Sequence, residues 1–514
     1  MGLDLVAFIA YFILILGIGI FFFSRSKGGG EKDYFLGGRS MGPWVTAMSA
    51  QASDMSGWLL MGFPGSILAF GMGKVWIGIG LALGTAANWI FVAKRLRRFS
   101  KASGDSITLP QYLTNRFASN SPVLKISAAI IFLVSFTVYV SSAFVAGQKV
   151  MCAVIPALQG QEILAVAIFA VLILAYTFLG GYKAVCWTDF FQGILMLVAL
   201  LAVPIVMMGG DFDASYEGAF AEGISAFGTN PFTASWQDIA SGLGWGLGYF
   251  GMPHILVRFM AIEKPSMVKK SATVAIAWVV LSLGAAIAIA ILGRTFLLSD
   301  GSSLAATLLP NNGQDIFISV TQNIFPSLIV GFLLAAIVAA AMSTADSQLL
   351  VASSAFTSDL YKPLVRKDKA SDKELLWVGR IVVLVVSVIA FFIAVSGING
   401  GSWASNIMAM VENAWGLFGS AFGPVVILSL FWRRLNYAGA CTGIIVGAIV
   451  DIAWLLMFTN TIMDAAVYNI GVYEIIPGFI AGLIATVAVT LATKEPGEEV
   501  KAIYATATSK SIDD

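Results

Sequence analysis

Long apolar runs are the feature that most constrains how this chain can fold. A helix of roughly 20 apolar residues crosses the hydrocarbon core of a bilayer. Only 11% of the residues are charged, whereas a soluble domain carries about 25%. The sequence therefore predicts an all-α polytopic membrane protein with thirteen spans, at residues 3–24, 43–72, 75–94, 124–156, 162–181, 188–208, 234–258, 272–297, 316–358, 376–396, 404–432, 437–459 and 472–493.

The spans are expected to form one membrane domain, residues 1–493, followed by a short, loosely ordered polar tail, residues 494–514. The first apolar run is too long for a cleavable signal peptide and lacks basic residues before it, so we expect it to remain as a span. Two spans are too long for one straight crossing. The second must be broken, and the ninth is expected to run on as a surface helix.

The distribution of basic residues predicts the orientation, because cytoplasmic loops carry an excess of Lys and Arg. With the N-terminus outside, all 30 Lys and Arg residues except Lys74, Lys149 and Arg294 fall on the cytoplasmic side, Arg258 among them. The sequence thus predicts an extracellular N-terminus and a cytoplasmic tail. The net charge of +1 gives no electrostatic reason to expect nucleic-acid binding.

The middle of the second span contains groups that cannot face lipid. Residues 46–65 carry Asp54, several serines and Gly57 between apolar flanks. A carboxylate at the bilayer centre costs roughly 3 kcal/mol on insertion scales. A helix that breaks at this depth frees carbonyls and amides, which secondary transporters use to bind cations and zwitterions. The alternative is that Ser and Gly serve close helix packing while Asp54 caps a helix end.

A second unusual segment lies five spans later. Residues 242–254 contain five glycines, Trp245, Tyr249, Pro253 and His254, the only histidine. Paired Gly/Pro-interrupted segments in two halves of a chain are the best sequence pointer to a transporter site. Because five is an odd number, the second half would be inverted relative to the first.

The ninth span carries hydroxyl groups next to a carboxylate. Ser343 and Ser347 are four residues apart and share a helix face, with Thr344 and Asp346 beside them. Hydroxyl and carbonyl oxygens suit a hard cation such as Na⁺. The alternative is that the hydroxyls bond to carbonyls of their own helix. Together with the broken second span, the pattern favours an ion site.

Three blocks together resemble the sodium/solute symporter family: residues 50–58 (AQASDMSGW), residues 244–254 (GWGLGYFGMPH) and residues 342–344 (MST). The resemblance covers essentially the whole chain. It implies a five-plus-five inverted-repeat core made of spans 2–6 and 7–11, with helices broken at mid-membrane. It also implies Na⁺-coupled symport of a small solute, L-proline being the expected one, across a bacterial cell membrane.

The resemblance implies two sets of binding residues. The Na⁺ ligands would be the carbonyls of Ala52, Met55 and Ala340 and the hydroxyls of Ser343 and Thr344. Asp54 would support sodium coupling electrostatically or through the broken backbone. The substrate pocket would be lined by Ser56, Gly57, Trp58, Tyr139, Trp245, Tyr249 and Pro253.

A second cation site is also implied, since some family members are similar in placing an Asp at the start of span 6 near hydroxyls of span 9. Here these residues are Asp189, Asp346 and Ser347, close to Ser343. The alternative for Asp189 is a helix N-cap. Asp346 departs from the family pattern, where a small or neutral residue is usual, so it could strengthen a cation site, hold a proton or face water. The number of coupled ions stays open.

The expected pocket suits a proline-sized zwitterion. Its carboxylate can meet the positive end of a half-helix, and its ammonium can rest on an aromatic face. Rival functions are symport of a monocarboxylate, a sugar or another osmolyte, or a channel or solute sensor. An enzyme is disfavoured, because the chain has one histidine, expected to be neutral, three scattered cysteines, and no metal or nucleophile motif.

Overall fold

The computed structural model describes residues 2–25, 31–179, 181–209, 230–299, 313–367, 369–398, 400, 402–459, 470–509 and 512. These residues form helices and connecting turns, and the only β-type pairing among them is one isolated bridge between Met41 and Ile262. Ten continuous helical segments in the described part of the chain are long and apolar enough to cross a membrane. The predicted all-helical membrane class is therefore confirmed.

The helices are numbered in chain order. The first twelve are α1 (Leu3–Arg25), α2 (Glu31–Leu36), α3 (Pro43–Asp54), α4 (Phe63–Phe70), α5 (Val75–Ala87), α6 (Lys94–Ala102), α7 (Leu109–Arg116), α8 (Val123–Val154), α9 (Glu162–Leu179), α10 (Tyr182–Met208), α11 (Trp236–Gly244) and α12 (Pro253–Ala261). The rest are α13 (Val268–Ser299), α14 (Ile316–Ile324), α15 (Ser327–Ser354), α16 (Asp372–Ile398), α17 (Ser402–Ser405), α18 (Ile407–Phe431), α19 (Tyr437–Phe458), α20 (Ile475–Ala492) and α21 (Glu498–Thr508).

Helix α15 occupies the centre of the molecule. Its residues from Leu333 to Ser354 are all buried, including the polar block around Ser343. It packs against α1, α8 and α10, and α3 approaches it from a further side. A helix that is apolar nearly all round is typical of a core position, so the fold places the hydroxyl-rich block of the ninth predicted span in the core beside α3.

The break predicted in the second span is confirmed. Helix α3 ends at Asp54, Met55 leaves helical geometry with φ −87° and ψ 68°, and helical turns of the wider π type resume at Trp58. Gly57 sits in the break against α8. A Cβ atom at this position would lie 2.7 Å from the Cβ of Ala146, so the close approach of the two segments requires glycine.

The segment around Trp245 is interrupted as well. Helix α11 tightens into 3₁₀ turns over Trp245–Phe250, Met252 is extended, and α12 begins at Pro253. Residues four apart, such as Trp245 and Tyr249, share a face of an α-helix, whereas the 3₁₀ turns change the angle between them. The tight turns bring backbone against backbone, since a Cβ on Gly84 of α5 would lie 2.4 Å from the Gly246 carbonyl oxygen.

The ninth predicted span differs from expectation. Residues 316–358 do not form one helix: α14 ends at Ile324 and α15 begins at Ser327. Pro326 has no N–H to donate, and it disfavours helical geometry in the residue before it. Phe325 is accordingly extended, with φ −104° and ψ 150°. Beyond Ser354 the chain continues in π-type turns to Val365.

The tail is better ordered than predicted. Residues Glu498–Thr508 form α21, which packs on α6. The Tyr504 ring lies 5.3 Å from the Phe99 ring, and the Arg116 guanidinium lies over Tyr504 at 5.2 Å. These aromatic and cation–π contacts supply the packing that a purely polar tail would lack.

Candidate functional site

The two interrupted segments meet at Asp54. The Tyr249 hydroxyl donates a 2.6 Å hydrogen bond to Oδ2 of Asp54, and the Tyr139 hydroxyl donates to the Asp54 carbonyl oxygen at 3.4 Å. Asp54 is 1% exposed. Its Oδ1 has no hydrogen-bond partner among the described residues. A buried carboxylate oxygen without a donor is free to interact with a ligand or an ion.

Aromatic rings surround this hydrogen bond. The Trp58 and Trp245 rings are 6.0 Å apart, and Trp245 stacks on Trp415 at 6.3 Å. The Tyr249 ring meets Trp415 edge-on at 5.0 Å, and Nε1 of Trp415 donates to the Trp245 carbonyl oxygen at 2.8 Å. The structure thus brings together four of the residues expected in the pocket, Tyr139 included.

Trp415 is a residue that the sequence reading missed. It lies inside α18, and a Cβ on Gly248 would come 1.9 Å from its indole nitrogen. The repeated glycines of the 3₁₀ segment indicate that a bulky side chain packs against it, but they do not identify that side chain as Trp415.

The remaining expected pocket residues shape the two breaks. The Ser56 hydroxyl accepts a 3.4 Å hydrogen bond from the Trp58 amide, at the point where helical turns resume. Gly57 permits the contact with Ala146 described above. Pro253 is the buried first residue of α12, where its fixed φ favours a helix start.

The expected ion ligands lie at the interface of α3 and α15. The Ser343 hydroxyl donates to the Ala52 carbonyl oxygen at 2.8 Å and lies 3.2 Å from the Ala340 carbonyl oxygen. The Thr344 hydroxyl is buried without a hydrogen-bond partner among the described residues. Met55 lies at the end of α3, where the helix opens. Hydroxyl and carbonyl oxygens thus face each other across two helices, a donor set that fits a hard monovalent cation.

Asp189 lies in a buried ion pair. Its Oδ2 accepts hydrogen bonds from Arg258 Nη2 at 3.0 Å and from the Ser49 hydroxyl at 2.7 Å. The side chains of Arg258 and Asp189 are 1% and 0% exposed. The N-cap alternative for Asp189 is wrong, because α10 begins at Tyr182 and Asp189 follows two turns later.

Arg258, counted among the basic residues of the cytoplasmic side, belongs to α12 and is fully enclosed. Its Nε donates to Ser49 at 2.9 Å, its Nη1 donates to the His254 carbonyl oxygen at 2.6 Å, and its Nη2 also donates to Ser347. One signal could have found it: a carboxylate such as Asp189 in an apolar helix calls for a buried cation.

Asp346 and His254 lie near this ion pair with polar atoms left over. Oδ1 of Asp346 accepts from the Ser347 hydroxyl at 3.3 Å, while its Oδ2 and both ring nitrogens of His254 have no hydrogen-bond partner among the described residues. The His254 ring lies 5.9 Å from Phe136 and 6.5 Å from Tyr139. The structure therefore gathers Asp189, Asp346 and Ser347 as expected, but around a guanidinium.

A second polar cluster closes one end of the helix bundle. Arg39 Nε pairs with Asp105 at 2.7 Å, and Arg97 donates to the carbonyl oxygens of Ile262 and Glu263 at 2.7 and 3.0 Å. Partial burial opposes ionisation of Asp105, but hydrogen bonds and charges from Lys32 and Arg39 hold the pKa of its carboxyl below its usual range. These contacts tie the segment before α3 to Asp105, which follows α6, and the segment after α12 to α6 itself.

The interrupted helices and the buried polar site define a multi-pass membrane transporter. The sequence profile of the Sodium:solute symporter family matches residues 34–447. The chain belongs to this family, and it is therefore a transporter rather than an enzyme.

Close relatives are found among bacterial proteins. The sodium/proline symporter 2 of Staphylococcus saprophyticus is 42% identical over 499 residues, which cover 96% of this chain and 93% of that protein. The sodium/proline symporter of Staphylococcus aureus is 41% identical over 498 residues, with the same coverage of 96% and 93%.

Solved structures share the fold at lower identity. A Na⁺-coupled sialic acid symporter in a substrate-bound, outward-open state matches 97% of this chain and 99% of its own, with a TM-score of 0.75 and 21% identity. A nucleobase-cation-symport-1 family transporter in a closed conformation matches 92% of this chain and 98% of its own, with a TM-score of 0.56 and 15% identity. These likenesses confirm a transporter fold.

Proposed function

We propose that this protein imports L-proline into a bacterial cell together with Na⁺, by alternating access. The observation that carries the proposal is the junction of the two interrupted segments at Asp54 and Tyr249, beside the contact of Ser343 with the Ala52 carbonyl. Family membership supports Na⁺ as the driving ion. The two Staphylococcus relatives, both sodium/proline symporters by name, support proline as the solute.

The proposed architecture has thirteen spans in one domain over residues 1–493. Spans 2–6 and 7–11 form two inverted repeats of five, and spans 1, 12 and 13 are additions. The N-terminus is outside, and the tail, residues 494–514, is inside. The matched positions of the breaks after Asp54 and around Met252, five spans apart, support the repeat. The excess of Lys and Arg on one side supports the orientation.

Na⁺ would bind between α3 and α15. Its ligands in this proposal are the carbonyls of Ala52, Met55 and Ala340 and the hydroxyls of Ser343 and Thr344. The Ser343 hydroxyl hydrogen points at the Ala52 carbonyl oxygen. Rotation of this hydroxyl would free a lone pair on each of the two oxygens for an ion. The Thr344 hydroxyl has no hydrogen-bond partner among the described residues, so an ion that binds there displaces none of them. Asp54, which lies between Ala52 and Met55 in the chain, would add negative potential without direct ligation.

The substrate would lie among the aromatic rings. Trp58 and Trp245 offer an apolar wall for a pyrrolidine ring and a face for its ammonium. At the break, the Ser56 amide donates to the Asp54 carbonyl oxygen at 3.1 Å, and in this proposal it would turn, with the Gly57 amide, to the carboxylate of the solute. Tyr139, Tyr249 and Pro253 would complete the pocket. Because the Tyr249 hydroxyl donates to Asp54, one hydrogen bond joins the proposed solute site to the end of α3 that carries the proposed ion ligands.

Coupling between Na⁺ and the solute follows from this hydrogen bond between the two proposed sites. Na⁺ would stabilise the end of α3 and complete the solute site from outside, and the loaded repeats would then rock to the inside. The contacts of Arg39 and Arg97 would close the cytoplasmic end and have to open for release. The membrane potential adds about 2.3 kcal/mol per charge per 100 mV, so Na⁺ entry can drive accumulation of the solute.

Proteoliposomes with an imposed Na⁺ gradient test the proposal. Purified protein should accumulate radiolabelled L-proline when Na⁺ is outside, and not when K⁺ replaces it. Excess unlabelled L-proline should abolish uptake, whereas lactate, glucose and sialic acid should leave it unchanged. If Na⁺ stabilises the protein but no proline is taken up, Na⁺ stays the proposed driving ion and L-proline is refuted as the solute. Proline uptake that ignores Na⁺ would refute the coupling.

A further inference from the structure

We propose that Arg258 acts as a tethered cation that fills the polar cluster of Ser49, Asp189 and Ser347, and thereby limits coupling to one Na⁺ per solute. The inference rests on the proposed function, because it concerns the ion that drives transport. From the sequence alone, this cluster could have held a second cation.

The guanidinium uses all of its nitrogen atoms within the cluster. Nε donates to Ser49, Nη1 to the His254 carbonyl oxygen, and Nη2 to both Asp189 and Ser347. The five residues come from α3, α10, α12 and α15, and each is at most 1% exposed. The centre of the cluster is therefore filled by a positive charge that the chain itself supplies.

The cluster is one helical turn away from the proposed Na⁺ site. Ser347 follows Ser343 by four residues on α15, and Ser49 precedes Ala52 by three residues on α3. One turn rises about 5.4 Å. The α3–α15 interface thus presents two successive layers of oxygen atoms. One layer holds the Ser343–Ala52 contact, and the next holds the guanidinium of Arg258.

A free Na⁺ competes poorly for this second layer. A guanidinium keeps its proton at every physiological pH, so Arg258 cannot become neutral to admit another cation. Displacing it would leave a buried arginine without its counter-charge, which is strongly unfavourable.

Removal of the guanidinium would expose a cation site. Oδ1 of Asp189 and Oδ2 of Asp346 have no hydrogen-bond partner among the described residues. Without Arg258, these two carboxyl groups would share a buried chamber with the hydroxyls of Ser49 and Ser347. Oxygen donors with net negative charge bind a hard monovalent cation. Arg258→Met, which keeps an unbranched chain of similar bulk without charge, should therefore gain a second Na⁺ site.

The test measures fluxes of ²²Na⁺ and [³H]proline together in voltage-clamped proteoliposomes. We expect about one Na⁺ per proline for the wild type and about two for Arg258→Met, with a Hill coefficient for Na⁺ that rises from about 1 towards 2, because each added site adds one cooperative ligand. Arg258→Lys is the matched control. It keeps a tethered cation and should keep the ratio of one.

Two results would overturn the inference: a wild-type ratio of two, or a transporting Arg258→Met variant whose ratio stays at one. If Arg258→Met does not fold, equilibrium binding of ²²Na⁺ to the wild-type protein decides, because one bound ion per chain supports the inference and two refute it. If the wild type takes up no proline, the proposed solute is refuted. Equilibrium binding of ²²Na⁺ then still gives the number of bound ions per chain, and that number tests the inference about Arg258.

Discussion

The Tyr249 hydroxyl donates a 2.6 Å hydrogen bond to the Asp54 carboxylate across 195 residues of sequence. It joins the 3₁₀ turns of one interrupted segment to the last residue of α3 in the other. A change in either break therefore reaches the other through one short bond between buried groups. This bond is the physical basis that we propose for coupling between ion and solute.

Tyr249→Phe should weaken coupling. The variant keeps the ring contact with Trp415 but leaves Oδ2 of Asp54 without its donor. An unsatisfied buried group costs about 1–3 kcal/mol, so the apparent affinities for Na⁺ and proline should fall about 5- to 150-fold. Uptake kinetics at varied Na⁺ concentration measure the change. Tyr112→Phe is the control, because it loses a comparable 2.8 Å bond, to Ser429, away from the site. Equal effects of both variants would contradict the assignment.

Ser343→Ala should lower Na⁺ affinity selectively. It removes the hydroxyl that faces the Ala52 carbonyl oxygen. Loss of one oxygen ligand costs about 1.5–3 kcal/mol of binding free energy, so the Na⁺ affinity should fall roughly 10- to 150-fold. Na⁺-dependent thermal stabilisation reads the affinity without transport. Ser354→Ala on the same helix is the matched control, since its hydroxyl donates to the Val351 carbonyl oxygen of its own helix at 2.8 Å. Na⁺ affinity that is unchanged in Ser343→Ala would remove this residue from the ion site.

Gly57→Ala should impair transport through crowding at the break. The added Cβ would lie 2.7 Å from that of Ala146, and overpacking costs about 1–3 kcal/mol. The double variant Gly57→Ala/Ala146→Gly should recover most of the lost activity and stability, because it removes the opposing methyl group. Gly17→Ala in α1 is the control, because no heavy atom of the described residues lies within 4 Å of the new Cβ. Failure of the second substitution to rescue would mean that Gly57 is needed for backbone freedom instead.

Asp105→Asn should loosen the closed end of the bundle in a pH-dependent way. The pKa of Asp105 is lowered in the folded protein, chiefly by Lys32 and Arg39 acting against partial burial. Its stabilisation is therefore present above the unfolded pKa, about 3.9, and is lost as pH falls through the lower folded value. The melting temperature of the variant should lie below that of the wild type at pH 7, and the gap should narrow below pH 4.

The control for that experiment is Glu498→Gln. Glu498 has a lowered pKa through its exposed pair with Lys501, and exposed pairs contribute little to stability. This variant should melt like the wild type throughout. A gap for Asp105→Asn that stays constant down to pH 3 would show that its carboxylate charge is not what stabilises the closure.

Local patterns in the sequence predicted the breaks, because a carboxylate and glycine inside an apolar run leave few physical options. The same kind of reasoning predicted that Ser343 lies on a helix face that contributes to an ion site. It did not find the Asp189–Arg258 pair, because a contact across 69 residues is fixed by helix packing and not by local pattern. Pro326 in the sequence indicates that a helix ends near it, but the apolar residues on both sides favoured the prediction of one continuous span. The polar composition of the tail likewise predicted little order, whereas the contacts of Tyr504 with Phe99 and Arg116 hold the tail against the helices.

The most direct test of the coupling that we propose compares Na⁺ activation of L-proline uptake in the wild type and Asp54→Asn. The control is Asp451→Asn, another buried Asp, which accepts a 2.7 Å bond from Ser420 between α18 and α19. We expect Na⁺ to drive accumulation in the wild type and in Asp451→Asn, and Asp54→Asn to need at least tenfold more Na⁺, equivalent to about 1.4 kcal/mol. Unchanged Na⁺ activation in Asp54→Asn would contradict the proposal that the broken helix couples the ion to the solute.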